Sequence, residues 1–226
     1  AAYSENGKWR DAGSGFAALK PVYTGLENPF KTGTARQTEC IQHGKKGAAT
    51  AEWRPEIPER GEYAVYVSYK TVEKSTSSAH YTVHHLGGSS DFIVNQKMGG
   101  GTWIYLGTFE FGEGSDGYVT LTNETPEGYK FSSGSIVTAD AVRFGGGMGN
   151  IARAPKDDEE AEPEVSGLPR SAEGARYWMQ WAGVTDKIYS QNEQEGDYRD
   201  DFMSRGDWVE WISRGSEMNP SKKDGL

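Results

Sequence analysis

The sequence predicts a mainly β protein: an antiparallel, jelly-roll-like β-sandwich followed by a small C-terminal helical segment. Three observations lead there. Glycine is abundant, 30 of 226 residues, and aromatics make up 12%; that mix suits strands joined by tight turns better than a helical bundle. Apolar residues alternate with period two in several short stretches, the mark of strands with one buried face. Those stretches recur at about 10–20-residue spacing with no helical pattern between them, as antiparallel sandwiches require. The length allows one large domain, or a domain with a smaller partner.

Residues 1–50 have weak periodicity. Trp9, Phe16, Tyr23 and Phe30 are spaced apolar points within Gly- and Thr-rich sequence, so irregular structure with one or two short strands is expected. Arg60-Gly61 is a turn signal. After it Tyr63, Val65, Val67 and Tyr69 fall on one strand face, and Ala79, Tyr81, Val83 and His85 repeat the pattern. Gly87-Gly88-Ser89 then turns the chain into Asp91–Asn95, which reads as a hairpin. Three more β-type stretches follow, at 99–111, 118–123 and 136–144, separated by Gly-rich turns.

The composition changes at Gly145. The acidic run 156–164 reads as a solvated linker or loop. Beyond it Ala175, Trp178, Met179 and Ala182 follow helical spacing, with Gly183 where a helix-ending glycine belongs. A second helix is expected over 200–214, burying Phe202, Val209 and Ile212. The organisation is therefore a sandwich over 1–149, an acidic linker over 150–165 and a helical segment over 166–226 that belongs to an adjacent domain. The ending at Lys223-Asp-Gly-Leu226, with no concluding element, leads to the expectation of a fragment.

The formal net charge is −9 and the pI near 5.0. Such a field repels phosphate backbones and anionic membranes, so nucleic acid is not an expected partner. No run approaches the ~20 apolar residues of a membrane span, so no membrane insertion is expected. Cys40 is the sole cysteine, which rules out an intramolecular disulfide and zinc sites built on several thiolates. The triple-glycine runs at 99–101 and 145–147 lack the spacing and lysine of a phosphate-binding loop and read as turns.

Few residues point to chemistry. On a strand, His80 and His84 share a face but lie about 13 Å apart at ~3.3 Å per residue, and His85 points the other way. They cannot meet one ion at the ~2.0–2.1 Å that ligation needs. Trp103 follows a glycine loop, and Asn123, Glu124 and Tyr129 lie in the next loop. An aromatic face for a sugar's C–H surface, with polar side chains for its hydroxyls, could form there. Equally, Trp103 could be a core residue that starts a strand. Asp140 sits inside an apolar strand, where a carboxylate must be paired, hydrogen-bonded or metal-bound. A salt bridge to Arg143 or Arg54 is preferred over a structural calcium. Glu173, at a helix start, suits the helix dipole. For lyase chemistry His84, Tyr81 and Asn95 are available as residue types, with nothing to place them together.

The stretches Gly100-Gly-Thr-Trp-Ile-Tyr-Leu-Gly-Thr-Phe-Glu-Phe and Val137-Thr-Ala-Asp-Ala-Val-Arg-Phe-Gly resemble the golvesin C-terminal-like domain. That domain is similar to β-sandwich carbohydrate-binding modules of families 6, 35 and 36, and occurs in large secreted Bacteroidetes proteins labelled xanthan lyases. The resemblance covers about residues 15–147, and the tail from Ser166 looks like the continuation of the same long proteins. It implies a non-catalytic carbohydrate-binding accessory module of an exported protein active on polysaccharide or cell wall, located outside the cell, in the periplasm or on the surface. The implied partners are polysaccharide or peptidoglycan and the adjacent domain of the same protein. Trp103 inherits a role in a sugar cleft, and Asp140 the position of a structural calcium ligand, the one cofactor candidate. The tail is also similar in layout to zinc N-acetylmuramoyl-L-alanine amidases, with Glu173 at the position of a zinc ligand and Arg205 on a following helix. That implies the alternative: a piece of an amidase-like or lyase catalytic domain with the sandwich inserted in it.

Overall fold

The computed structural model describes residues 2–16, 22–23, 31–145, 150–151, 162, 174–192 and 196–213. In chain order the strands are β1 (Ala2–Asn6), β2 (Arg10–Gly15), β3 (Val22–Tyr23), β4 (Gly33–Glu39), β5 (Thr50–Arg54), β6 (Gly61–Ser68), β7 (Ala79–His85), β8 (Gly88–Val94), β9 (Ile104–Phe111), β10 (Tyr118–Thr122), β11 (Ile136–Ala139), β12 (Ala141–Phe144) and β13 (Asn150–Ile151). Among the described residues three helices follow: α1 (Ala175–Ala182), α2 (Asp186–Tyr189) and α3 (Asp197–Ser213). One layer is the five-stranded sheet β1-β5-β10-β7-β8; the other comes in two three-stranded pieces, β11-β4-β2 and β12-β6-β9. Every pairing in these sheets is antiparallel, while the two-residue pair β3–β13 is parallel.

The alternation seen in the sequence puts the core between the layers. Ala51, Trp53, Tyr81, Val83, Val119 and Leu121 face inward from the five-stranded sheet; Val65, Val67, Phe111, Val137 and Ala139 meet them from the other side. The hairpin is β7–β8, closed by Leu86-Gly87 with His85 paired to Gly88. The opening fifty residues hold more strand than expected, with β1, β2, β3 and β4 complete. β1 is exposed along its whole length and β2 along most of it. Both are edge strands, which lack the one-sided burial that writes a period of two into sequence.

The apolar run 136–144 is two strands rather than one. It breaks at Asp140: β11 pairs with β4, while β12 pairs with β6. The split leaves one edge of β11 without a strand neighbour, and a side chain fills that place. Gln96 is fully buried. Its amide nitrogen donates to the Thr138 carbonyl at 2.8 Å and to the Tyr81 hydroxyl at 3.1 Å, while its carbonyl accepts the Thr138 N–H at 2.8 Å.

The helical segment departs most from expectation. In α1 Met179 and Ala182 are buried but Trp178 is exposed, and in α3 Phe202 and Val209 are 67% and 57% exposed. The buried face of α3 carries Asp200 and Ser204, with Trp208 and Trp211 packed on the small core of Met179, Ala182, Val184 and Tyr189. The physical reason is a polar interior. The Arg176 guanidinium lies 3.6 Å from the Asp200 carboxylate and donates to the Ser190 hydroxyl at 3.0 Å. Asp200 also accepts from the backbone and side-chain amides of Asn192, both at 2.9 Å. The segment joins the sandwich through the Trp103 N–H, which donates to the Ala182 carbonyl at 3.0 Å.

Gln96→Leu keeps the volume but strips both backbone groups of Thr138 of their partner. We expect it to lower unfolding stability by about 2–4 kcal/mol, read as a shift in the urea midpoint at unchanged slope. A shift below about 0.5 kcal/mol would mean that water can replace the amide.

Candidate functional site

Trp103 stands at the seam between the sandwich and the helices. Its indole packs on Phe16 at 4.4 Å between ring centroids, and the Arg143 guanidinium lies 5.1 Å from its ring centre. Arg143 also stacks 4.1 Å over Tyr66, which lies 5.2 Å from Tyr105. β12, β6 and β9 set Arg143, Tyr66 and Tyr105 opposite one another, so register alone builds this row across the sheet. Burial pushes the Arg143 guanidinium down to about 10. Trp103 is half-buried, neither the open platform nor the pure core residue weighed above.

Asp140 occupies the corner between β11 and β12. Its Oδ1 accepts the Phe16 N–H at 2.8 Å. Neither arginine expected beside it is its partner: Arg54 pairs with Glu52 at 2.9 Å, and Arg143 lies in the aromatic row. The nearby cation is Lys70, whose ammonium donates to the Ala12 carbonyl at 2.8 Å. Burial raises the carboxyl from 3.8 to about 6, against the lowering effect of the Phe16 amide and of Lys70. Calcium takes six to eight oxygen ligands. Among the described residues no three His, Cys, Asp or Glu side chains gather around a point, and an N–H donor and an ammonium are not calcium ligands. The described surroundings of Asp140 therefore do not fit that ion.

Asp140 lines a cavity of about 530 Å³ between the sandwich and the helices, together with Lys31, Lys70, Glu73, Thr185 and Trp211. Two glycines let backbone close in on it. A Cβ on Gly15 would lie 2.7 Å from Asp140 Oδ1, and one on Gly100 would lie 2.4 Å from the Thr71 nitrogen. The Gly99–Trp103 loop is stitched to the end of β6: Gly101 N–H donates to the Tyr69 carbonyl at 2.8 Å and Gly100 N–H to Thr71 Oγ1 at 3.1 Å.

The other two sugar-site residues go separate ways. Asn123 is buried; its amide accepts the Ala49 N–H at 2.7 Å and donates to the Glu39 carbonyl at 2.8 Å, so its polar atoms are occupied in holding strands together. Tyr129 is 52% exposed and lines a cleft of about 480 Å³ with Gln42, His43, Glu127 and Phe131. His43 is held there by Glu124, Nδ1 to Oε1 3.0 Å. The sequence offered no sign that the 41–44 turn would meet the 124–131 loop; the Ile41–Glu124 bridge joins them across 83 positions. Lys31, Lys70 and Trp211 were missed for the same reason, since only the folded chain gathers them.

The lyase-type residues do not assemble. Tyr81 is fully buried, its hydroxyl pushed up by that burial and bonded to Gln96. His84 points to the opposite strand face, stacks on Tyr118 at 4.0 Å and is lowered by burial. Asn95 Oδ1 accepts the Lys97 N–H. His80 bonds Asp91 at 3.0 Å and His85 bonds Ser90 at 3.1 Å, each away from the others. In the tail Glu173 lies outside the described residues, and Arg205 pairs with Asp201 one turn away at 2.6 Å.

A two-layered antiparallel sandwich with a corner strand, a glycine-zipped loop and a docked helical tail defines a β-sandwich module. Residues 29–146, more than half of the chain, match the family model of the Golvesin C-terminal domain; the chain belongs to that family. A stretch of 102 residues is 35% identical to a protein named xanthan lyase from Bacillus sp. (strain GL1), covering 44% of this chain and 10% of that protein. A solved structure of Paenibacillus xanthan lyase aligns over 63% of this chain and 12% of that one, at 24% identity and a TM-score of 0.47. The chain thus spans about a tenth of the length of these relatives.

Because burial lifts the Asp140 carboxyl to about 6, the folded chain holds that proton more tightly than the unfolded one. Its contribution is most favourable below about pH 4, declines as pH rises toward about 6, and is flat above. Asp140→Asn keeps the acceptor for Phe16 without the charge. We expect it to be more stable than the wild type at about pH 7.5 by on the order of 1–3 kcal/mol, and the gap to close near about pH 4. Urea unfolding at both pH values reads this; a less stable variant at the higher pH would show that the carboxylate has partners strong enough to offset burial.

Proposed function

We propose that the chain is a non-catalytic accessory module of an exported polysaccharide- or cell-wall-active protein, acting in the secreted, periplasmic or cell-surface space, and that it binds carbohydrate. The observation that carries the reading is the 35% identity to a segment making up only a tenth of a protein named xanthan lyase. A domain that small beside the whole suits an attachment to a catalytic body.

The Tyr129 cleft supports the binding part. Tyr129 offers a ring that is 52% exposed, and sugar rings stack their C–H faces on such surfaces. Gln42, His43 and Glu127 border it and can exchange hydrogen bonds with hydroxyls. A cleft of about 480 Å³ has room for one or two sugar units within the usual span of ligand pockets, ~300–1,000 Å³. The aromatic ring and the polar groups come from two loops pinned by the Ile41–Glu124 bridge, so the site is formed before a ligand arrives.

Affinity gels and calorimetry against xanthan, other plant and bacterial polysaccharides and peptidoglycan test the reading. At least one should retard or bind the protein, and Tyr129→Ala should weaken that binding by about tenfold, the loss of one stacked ring. Tyr129 is exposed, so folding is not at stake in the variant. Retention of full affinity without the ring, or no binding to any of these polymers, would remove the cleft from consideration.

A further inference from the structure

We propose that the cavity between the sandwich and the helices is a second ligand site, and that it takes a hydroxylated carboxylate of the sugar-acid class. It shares with the preceding reading only the broad class of ligand and involves none of the Tyr129 residues.

The walls are of mixed chemistry. Lys31 is exposed at the rim, and Lys70 reaches in from the end of β6. Among the described residues the Lys70 ammonium donates one bond, to the Ala12 carbonyl, and an ammonium has three donors. Two such cations in one lining suit an anionic group. Opposite in character are Asp140 and Glu73, carboxyl groups able to accept from hydroxyls. Oδ1 of Asp140 is taken by Phe16, while among the described residues no donor reaches Oδ2. The Trp211 indole from α3 adds an apolar wall, the surface on which the C–H face of a sugar ring packs. At about 530 Å³ the space matches a small ligand.

Two further features separate this cavity from a mere packing gap. Gly15 and Gly100 leave no room for any side chain, so the backbone contour of the floor is fixed by contacts at 2.4–2.7 Å to a would-be Cβ. The carboxyl of Asp140 is also retained where burial works against its charge, with the amide of Phe16 as its hydrogen-bond donor. Groups held in that way outside an ion-pair network concentrate at binding and catalytic positions. Gly183, Thr185 and Trp211 in the lining belong to the helical tail, so the site exists only with the tail docked through Trp103 and Ala182.

Amide chemical shifts of the full 226-residue chain, titrated with sodium D-glucuronate, with D-glucose and with sodium chloride at matched ionic strength, test the proposal. Glucuronate should move the amides of Gly100, Gly101, Gly183 and Thr185 in a saturable way, and glucose and salt should not. Lys31→Gln, an exposed change that does not endanger folding, should weaken the glucuronate response by about two- to fivefold. Lys70→Gln should weaken it further, and Tyr129→Ala should leave it unchanged. No shift at the seam amides, an equal response to glucose, or an unweakened response in Lys31→Gln would each overturn the proposal. A glucuronate response confined to the Tyr129 loop would overturn it while leaving the cleft reading intact.

Discussion

The fold turns on one buried amide. Splitting the 136–144 run at Asp140 lets the chain serve two half-sheets, but it exposes the edge of β11 inside the protein, where water cannot reach. Gln96 supplies what a neighbouring strand would have supplied: a donor for the Thr138 carbonyl and an acceptor for its N–H. The same nitrogen reaches the Tyr81 hydroxyl in the opposite layer, so the amide both caps an edge and ties the layers together. An aliphatic side chain of equal size would fill the space and leave two backbone groups unsatisfied, which is why a fully polar side chain is tolerated at zero exposure. Asn123 repeats the device between Ala49 and Glu39.

With β11 held, the corner residue Asp140 and the loops around it have fixed places. The Gly99–Trp103 loop is bonded to Tyr69 and Thr71, and Trp103 in turn receives the helical tail. Arg143, Tyr66 and Tyr105 brace the same region from the outer face of the β12-β6-β9 sheet. The two loops that form the Tyr129 cleft are anchored separately, by Ile41–Glu124 and by Asn123 beneath them. The module therefore offers two concave places of different chemistry. One is a loop cleft with an exposed ring. The other is a charged cavity that needs both parts of the chain.

The central strands were legible in the sequence because one of their faces is buried and the other is not. Tyr81 and Val83 in β7, or Val65 and Val67 in β6, announce themselves by period two. β1 and β2 did not, since exposure on both faces leaves no pattern. The break at Asp140 was invisible for the opposite reason: β11 is buried on both faces, so its residues read as a continuous apolar run with β12. The helices misled because α3 buries Asp200 and Ser204 around Arg176 and leaves Phe202 and Val209 outside; hydrophobicity points the wrong way when the interior is polar. Of the site residues, Tyr129 and Asp140 were visible as residue types in informative places. Their neighbours His43, Lys70 and Trp211 come from distant parts of the chain, and no local pattern carries that information.

Asp140 connects the architecture to the chemistry. A corner between two half-sheets needs a residue that can accept the Phe16 N–H, and asparagine would do so without charge. The carboxylate is the less stable choice at neutral pH, because burial lifts it to about 6 and ionisation must then occur against that burial. Architecture alone does not account for it. With Oδ1 taken by Phe16, the second oxygen of a group that titrates near 6 and lines a cavity with Lys31, Lys70 and Trp211 can accept when ionised and donate when protonated, where the Nδ2 of asparagine only donates. The stability lost at this position and the polar character of the cavity are then one fact, seen first from the fold and then from the site.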